Sequence, residues 1–503
     1  MGHKPRIVES PSVRLIDLKS GSNAYFIVAS VEVGNTTTKC ILTATNLEDG
    51  KTRLITKTVT MTRDVRAPKR GEEIFGRTLS GVELTRQSIA ELVRDTLLRA
   101  VDKANLDIKT DIHFVVRSTG VVAGFDAPEE VGEFIKALAE GCLMAGVPPN
   151  RMTPPMSVSN MQEKIRKYSK LEKVVFDGAV ASVTPPKGAT GVEIVANEME
   201  GELATAGIKE GAKWVDVDFR NPCISMDFGT TLDGRIIGQE LPYARTIGNF
   251  CGYAGAIPDA LIKGTGKVDP QKGTALEVFQ NIGKDDVGSP ELRKSSSAEF
   301  KLLPGISLGK FSTMFKGKQI LEYSQNIHQY IRIEKVPQGF KRYGSVPVNP
   351  KAAEEMGVVL IGCDVGVNGS DMDKLTAIGG DIYKKHGLSF LFAVIDDVMA
   401  RVIQRLIKVT QEQGLLFENT AIGITGRAGI TGNKPKLVLK YLEEMGIDHN
   451  IDARVVFVDD GLARGSAVMA RCMNSLGTTF NPLGGRSGGK CILAQRIKLQ
   501  SGK

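Results

Sequence analysis

Val31-Glu32-Val33-Gly34-Asn35-Thr36-Thr37-Thr38-Lys39 and Met226-Asp227-Phe228-Gly229-Thr230-Thr231-Leu232-Asp233-Gly234 spell one pattern twice in the same chain. The first is entered from Tyr25-Phe26-Ile27-Val28-Ala29. The second is entered from Cys223-Ile224-Ser225 and left through Arg235-Ile236-Ile237-Gly238. Each reads as a strand, an acidic residue, a glycine, hydroxyl residues and a second strand. Glycine lets the backbone approach a ligand closely, and N–H groups with threonine hydroxyls can line phosphate oxygens. A carboxylate at the strand end, here Glu32 or Asp227, can hold a magnesium ion through water. The plainer reading of each copy is an ordinary hairpin whose threonines are simply good strand formers. Two copies facing each other would grip a nucleotide from both sides.

The composition is compatible with this. A length of 503 residues suggests two to four domains, and 42% hydrophobic with 24% charged content is ordinary for a globular chain. The net charge of +8 needs no polyanion to explain it, and the single Trp offers little for base stacking. Nucleic acid is therefore not an expected partner. No apolar run approaches the ~18 residues of a membrane span, and no apolar segment follows Met1-Gly2-His3-Lys4-Pro5-Arg6 as in a secretory signal. Seven scattered cysteines form no C-x-x-C pair, which argues against a disulfide scaffold, a zinc ribbon or a ferredoxin site. These readings predict a cytoplasmic protein.

Periodicity lays out a mixed α/β chain. Residues 1–23 read as a tail or lead-in strand, 24–217 as a first nucleotide-binding lobe, 218–480 as a second, and 481–503 as a tail. The pattern loosens over about 263–351, read as an insertion in the second lobe. Helical spacing is clear for Ile89, Leu92, Val93, Leu97 and Val101, and for Val394, Ile395, Val398, Met399, Val402 and Ile403. The strand Thr420–Ile424 runs into the glycine-rich turn Thr425–Asn433. A helix, a strand at 453–458 and a small-residue helix at Gly461–Ala467 follow.

This order resembles the superfamily of actin, sugar kinases and heat-shock ATPases. The resemblance implies an α/β, two-lobed fold with ribonuclease H-like lobes that bind ATP and Mg2+ between them. The matching positions are Glu32, Gly34, Asn35, Thr36 and Thr37 in the first hairpin and Asp227, Gly229, Thr230 and Thr231 in the second. Gly423, Gly426 and Gly429 match the adenosine turn, and Gly461, Gly465 and Ala467 the hinge helix. Asp227–Thr231 followed by Gly252-Tyr253-Ala254-Gly255-Ala256 resembles the nucleotide lobe of reductive activators of corrinoid enzymes. Over nearly its full length the chain resembles the methanogenesis marker protein 14 family of methanogenic archaea. These resemblances imply an ATP-driven activator or assembly factor whose partner is a metalloenzyme, or its assembly complex, linked to methanogenesis. The ferredoxin-like module of some activators is missing, so electrons would come from a separate donor. A homodimer is compatible with all of this. Glu32 stands where the activators carry aspartate, one methylene shorter, so their magnesium geometry does not transfer directly.

Several residues have competing readings. Asp364, in the turn Cys363–Gly369, fits a turn cap better than a catalytic carboxylate. Asp396 and Asp397 lie between the apolar pairs of the long helix and read as a solvated face. Arg427 could meet adenine or phosphate, or be a solvated loop arginine. Lys263 and Lys267 lack a strand-to-helix frame. Gly484–Cys491 has P-loop spacing with Cys491 in place of Ser or Thr, and reads as a flexible tail. Two alternatives stay open beside the ATPase: a small-molecule kinase with Asp364 or Asp233 as base, and a nucleotide-binding scaffold that never turns over.

Overall fold

The computed structural model describes residues 4–14, 17–18, 25–125, 128–152, 198–215, 217–239, 246–278, 317–355, 357–447 and 451–476. Two sheets organise them. The smaller has the order β4-β3-β2-β5, built from β2 (Tyr25–Val33), β3 (Thr37–Asn46), β4 (Thr52–Met61) and β5 (Phe114–Thr119). The larger is a mixed eight-stranded sheet of order β1-β12-β11-β6-β7-β8-β10-β9. Its strands are β1 (Arg6–Val8), β6 (Cys223–Phe228), β7 (Leu232–Ile237), β8 (Thr246–Gly252), β9 (Ile331–Lys335), β10 (Val359–Val365), β11 (Ala421–Thr425) and β12 (Val455–Val458).

Alternation along the strands sets the layers. Ile27, Ala29 and Val31 of β2 face α1 (Arg86–Lys103) and α2 (Pro128–Met144), packing on Ile89, Val93, Phe134 and Leu138. Thr85 starts α1 with a capping box, its hydroxyl accepting from the Ser88 N–H while the Ser88 hydroxyl accepts from Thr85. The other face of β2 and β5 turns Phe26, Val28, Phe114 and Val116 onto α3 (Glu198–Gly211) and α8 (Gly461–Leu476). α3 and the turn that follows it cover one face of the large sheet through Ile208 and Ala212, against Cys223, Ala421 and Val456. The opposite face is closed by α4 (Ala256–Lys263), α5 (Gly317–His328), α6 (Met372–Glu412) and α7 (Lys434–Glu444). Helices α3 and α8 thus lie between the two sheets. Their close approach to each other explains their small residues: a Cβ on Gly207 would fall 1.8 Å from the Gly461 carbonyl oxygen, and one on Gly465 1.9 Å from that of Leu203.

One open reading closes on the strand, and two local expectations change. The lead-in contributes β1, which pairs in parallel with β12 at the edge of the large sheet. Residues 317–351, expected to be weakly ordered, supply α5 and the edge strand β9, whose Ile331 and Ile333 join the core. Asp396 and Asp397 are buried at 2% and 6% exposure. The face of α6 that carries them is covered by α7: Asp396 accepts from the Asn433 N–H and the Lys434 ammonium, and Asp397 holds Arg401 and the Tyr441 hydroxyl. The tail turn Gly484–Cys491 lies outside the described residues.

Candidate functional site

The same alternation aims the acidic residues. Cys223, Ser225 and Asp227 share the face of β6 that looks toward α3, so Asp227 opens into the space between the sheets. Its cross-strand neighbour is Asp233. On β2, Val28 and Ser30 face α8, and Glu32 continues that face with Lys39 directly opposite on β3. Two hairpins therefore bring a Glu/Lys pair and an Asp/Asp pair into one cavity, whose wall also includes Glu200 of α3 and the first residues of α8.

The hairpin tips touch. The Thr36 and Thr230 hydroxyls are 2.9 Å apart. Gly34 donates its N–H to the Thr37 carbonyl, and a Cβ there would sit 3.0 Å from that oxygen. The Gly229 and Thr230 carbonyls accept N–H groups from Gly255, Ala254 and Ala256, which ties the second tip to the start of α4. Asn35 is engaged at both ends, donating to the Gly120 carbonyl and accepting the Leu79 N–H, so its side chain braces the turn. Gly426, at the end of β11, has φ +84°, and a Cβ would lie 2.4 Å from Asp227 Oδ1. Only glycine lets this third turn close on the carboxylate.

Of the residues marked from the sequence, Glu32, Gly34, Asn35, Thr36, Thr37, Asp227, Gly229, Thr230, Thr231 and Gly426 all border the cavity. Gly423 and Gly429 do not; they are small for packing, Gly423 against Ile208 and Phe219 and Gly429 against Phe228. Asp364 is fully buried away from the cavity and accepts the N–H groups of Val365, Asn368 and Gly369, as a turn cap does. Arg427 borders the cavity 3.8 Å from Asp459.

The electrostatics are those of crowded acids. Burial pushes the Asp227 carboxyl up to about 8, helped by Glu32 and Asp233 and opposed by Lys39. Glu200 is driven well above the usual range by burial, then by Asp233, to which it hydrogen-bonds, and by Glu32. Burial alone would lower Lys39, but Glu32, Asp227 and Asp460 outweigh it and keep the ammonium charged. Lys57, paired with Asp460 before α8, is lowered by its burial. Lys39 and Glu200 are additions to the sequence reading. Lys39 was visible as the register partner of Glu32, whereas Glu200 carries no local signal.

The residues suit magnesium bound together with a phosphate: the donors are hard oxygens, and the Asp227/Asp233 pair needs a proton or a cation to balance it. Among the described residues no group of three or more His, Cys, Asp or Glu side chains forms a ready-made metal site. No described helix is long and apolar enough to cross a membrane.

Fold and site together define an α/β protein with a large mixed sheet, a smaller sheet and a cavity where two glycine-threonine hairpins meet. Residues 25–500 match the family described as an uncharacterized protein conserved in archaea (DUF2114), and the chain belongs to that family. It is 53% identical over 499 residues to an uncharacterized protein of Methanocaldococcus jannaschii, covering 99% of this chain and 96% of that one. It is 50% identical over 517 residues to one of Methanothermobacter thermautotrophicus, covering 100% and 91%. Among solved structures, a reductive activator for a corrinoid, iron-sulfur protein aligns with TM-score 0.32 and 11% identity over 89% of this chain, which spans 60% of that structure's length. A PPX-GPPA enzyme of Aquifex aeolicus aligns with TM-score 0.26 and 12% identity, over 75% of this chain and 93% of that one.

Proposed function

We propose that this chain is a two-lobed Mg-ATP-binding protein of the actin and sugar-kinase type, that it hydrolyses the nucleotide, and that the cycle activates or assembles a metalloenzyme linked to methanogenesis. The observation that carries the nucleotide reading is the Thr36–Thr230 contact: tips nearly two hundred positions apart meet over a cluster of buried carboxylates. In this reading the backbone N–H groups and hydroxyls of residues 35–37 and 229–231 hold the β- and γ-phosphates. Lys39 supplies a fixed positive charge beside them. Glu32 and Asp227 hold the waters of the ion, and the hydrogen-bonded Glu200 and Asp233 pair is placed to accept the proton of an attacking water. Magnesium, when bound, would supply neutralisation of the phosphate charge. Closing and opening of the two sheet-bearing units about α3 and α8 would alter what the outer surface presents to a partner.

The partner class, a metalloenzyme or its assembly complex, and the narrower assignment to the methanogenesis marker protein 14 family rest on sequence resemblance alone. A kinase using Asp364 as base finds no geometric support, because that carboxylate caps its own turn. Isothermal titration with Mg-ATP, followed by phosphate release from the parent and Asp227→Ala, tests the reading. Micromolar binding with turnover lost in the variant is expected. No binding would remove the proposal; binding with equal, negligible release in both proteins would leave a scaffold.

A further inference from the structure

One end of the cavity is not built for phosphate. Pro258, Ala275, Leu276, Phe392, Ile395 and Ala428 make it apolar, which suits a flat ring. α4 starts against the second hairpin through the Gly255–Gly229 hydrogen bond, and Asp259 lies one helical turn further on, donating its N–H to the Gly255 carbonyl. The polar groups at this end are few. The Lys434 ammonium is spent on Asp396 and on the carbonyl and hydroxyl of Thr431. Asp259 differs. Its Oδ1 accepts the Ala275 N–H at 2.7 Å, which fixes the carboxyl plane, and Oδ2 makes no hydrogen bond among the described residues.

Building on the nucleotide reading, we infer that Asp259 reads the edge of the bound base and selects adenine. A neutral carboxyl held this way can donate its Oδ2 hydrogen to a ring nitrogen. It can accept an amino hydrogen on the second lone pair of Oδ1, which satisfies the N1/N6 edge of adenine in full. Hypoxanthine, with N1–H and a carbonyl in those places, mismatches the neutral acid, whereas the ionised acid makes one good and one repulsive contact with either base. Burial pushes Asp259 up to about 7, with the Ala275 N–H and Lys263 pulling it down and Glu277, itself tied to Arg63, pushing it up. Selection of adenine is therefore strong below that value and fades as pH rises through it.

The test is calorimetric binding of Mg-ADP, Mg-IDP and inorganic tripolyphosphate to the full chain and to Asp259→Asn and Asp259→Leu, at pH 6.0 and 8.5. The ratio of ADP to IDP affinity cancels titration at the phosphate end. Wild type should prefer ADP about tenfold at pH 6.0 and lose that preference at pH 8.5. Asn keeps the acceptor for Ala275 and presents N–H to the ring, so it should hold the preference at both values. Leu should lose it at both, with tripolyphosphate affinity kept in all three. A pH-independent ratio in wild type, or an unchanged pH profile in either variant, overturns the inference while the nucleotide reading stands. Tripolyphosphate binding without nucleotide binding also overturns it. If neither polyphosphate nor nucleotide binds, the nucleotide reading fails and the inference falls with it.

Discussion

Replacing Glu210 by alanine should cost this protein about 3–5 kcal/mol of stability, the range for breaking a buried ion pair from one side. Glu210 in α3 and Arg464 in α8 are 0% and 2% exposed at the side chain and 2.5 Å apart. The second Glu210 oxygen accepts the Thr52 N–H of β4 at 2.7 Å and the Trp214 indole N–H at 3.4 Å. Arg464 also donates to the Glu9 carbonyl and the Ser10 hydroxyl after β1. One carboxylate and one guanidinium thus join both sheets to the two helices between them. Alanine leaves a guanidinium without its countercharge and a strand N–H without its acceptor. Trp214 is the single tryptophan of the chain and lies beside this clasp, under Lys51 at 4.9 Å. Urea unfolding followed by its fluorescence, with far-UV circular dichroism as a second probe, measures the loss. The double change Glu210→Met with Arg464→Met should be milder than the sum of the two single changes, because no buried charge then stands alone. A loss below about 1 kcal/mol for Glu210→Ala, or strict additivity of the pair, would refute the clasp.

Four further outcomes are expected. Asp227→Asn should abolish nucleotide turnover yet stabilise the protein above pH 7. An acid raised to about 8 in the fold contributes stability that is complete below its unfolded value near 4 and is lost as pH rises through 8, so thermal unfolding of the variant should depend less on pH. Gly426→Ala combines a positive φ with a Cβ 2.4 Å from Asp227, and should cost roughly 2–4 kcal/mol in urea unfolding and weaken nucleotide binding together. Asp364→Ala removes the acceptor of three turn N–H groups and should lower stability by about 2–3 kcal/mol, while nucleotide affinity of the folded fraction stays at the parent value. Arg63→Ala cuts the bidentate link from the end of β4 to Glu277 beside the cavity wall residues Ala275 and Leu276, and should speed release of a fluorescent ADP analogue severalfold in stopped flow.

The hairpins were legible because their signal is local: a glycine between alternating strands fixes register, and register fixes which side chains share a face. From Gly34 alone the count places Lys39 opposite Glu32. What escaped was tertiary. The period of α6 identifies its own apolar stripe but is silent about α7, which covers the opposite side and buries Asp396 and Asp397. Glycine spacing likewise does not separate a turn that meets a ligand from one that admits a neighbour. Gly426 closes on Asp227, whereas Gly423 makes room for Ile208 and Phe219. Glu200 and Asp259 come from helices with no motif, and only the packing of α3 and α4 brings them to the cavity.

The two hairpins differ in one respect that bears on how the site works. Across from its acid the first carries Lys39 and the second carries Asp233, so one pair is balanced on its own and the other is not. Like charges facing each other across strands cost stability, and here burial and Glu200 add to the cost. A fold seeking stability alone would place an apolar or basic residue at position 233. The imbalance is relieved either by protons, which the raised Asp227 and Glu200 carboxyls retain, or by a cation that arrives with its own anion. Exchange of the first for the second would give a direct reason for binding to release protons. Lys39, charged and already paired with Glu32, then stays free of that exchange, and under the proposed nucleotide reading it would be the fixed positive charge beside the phosphates.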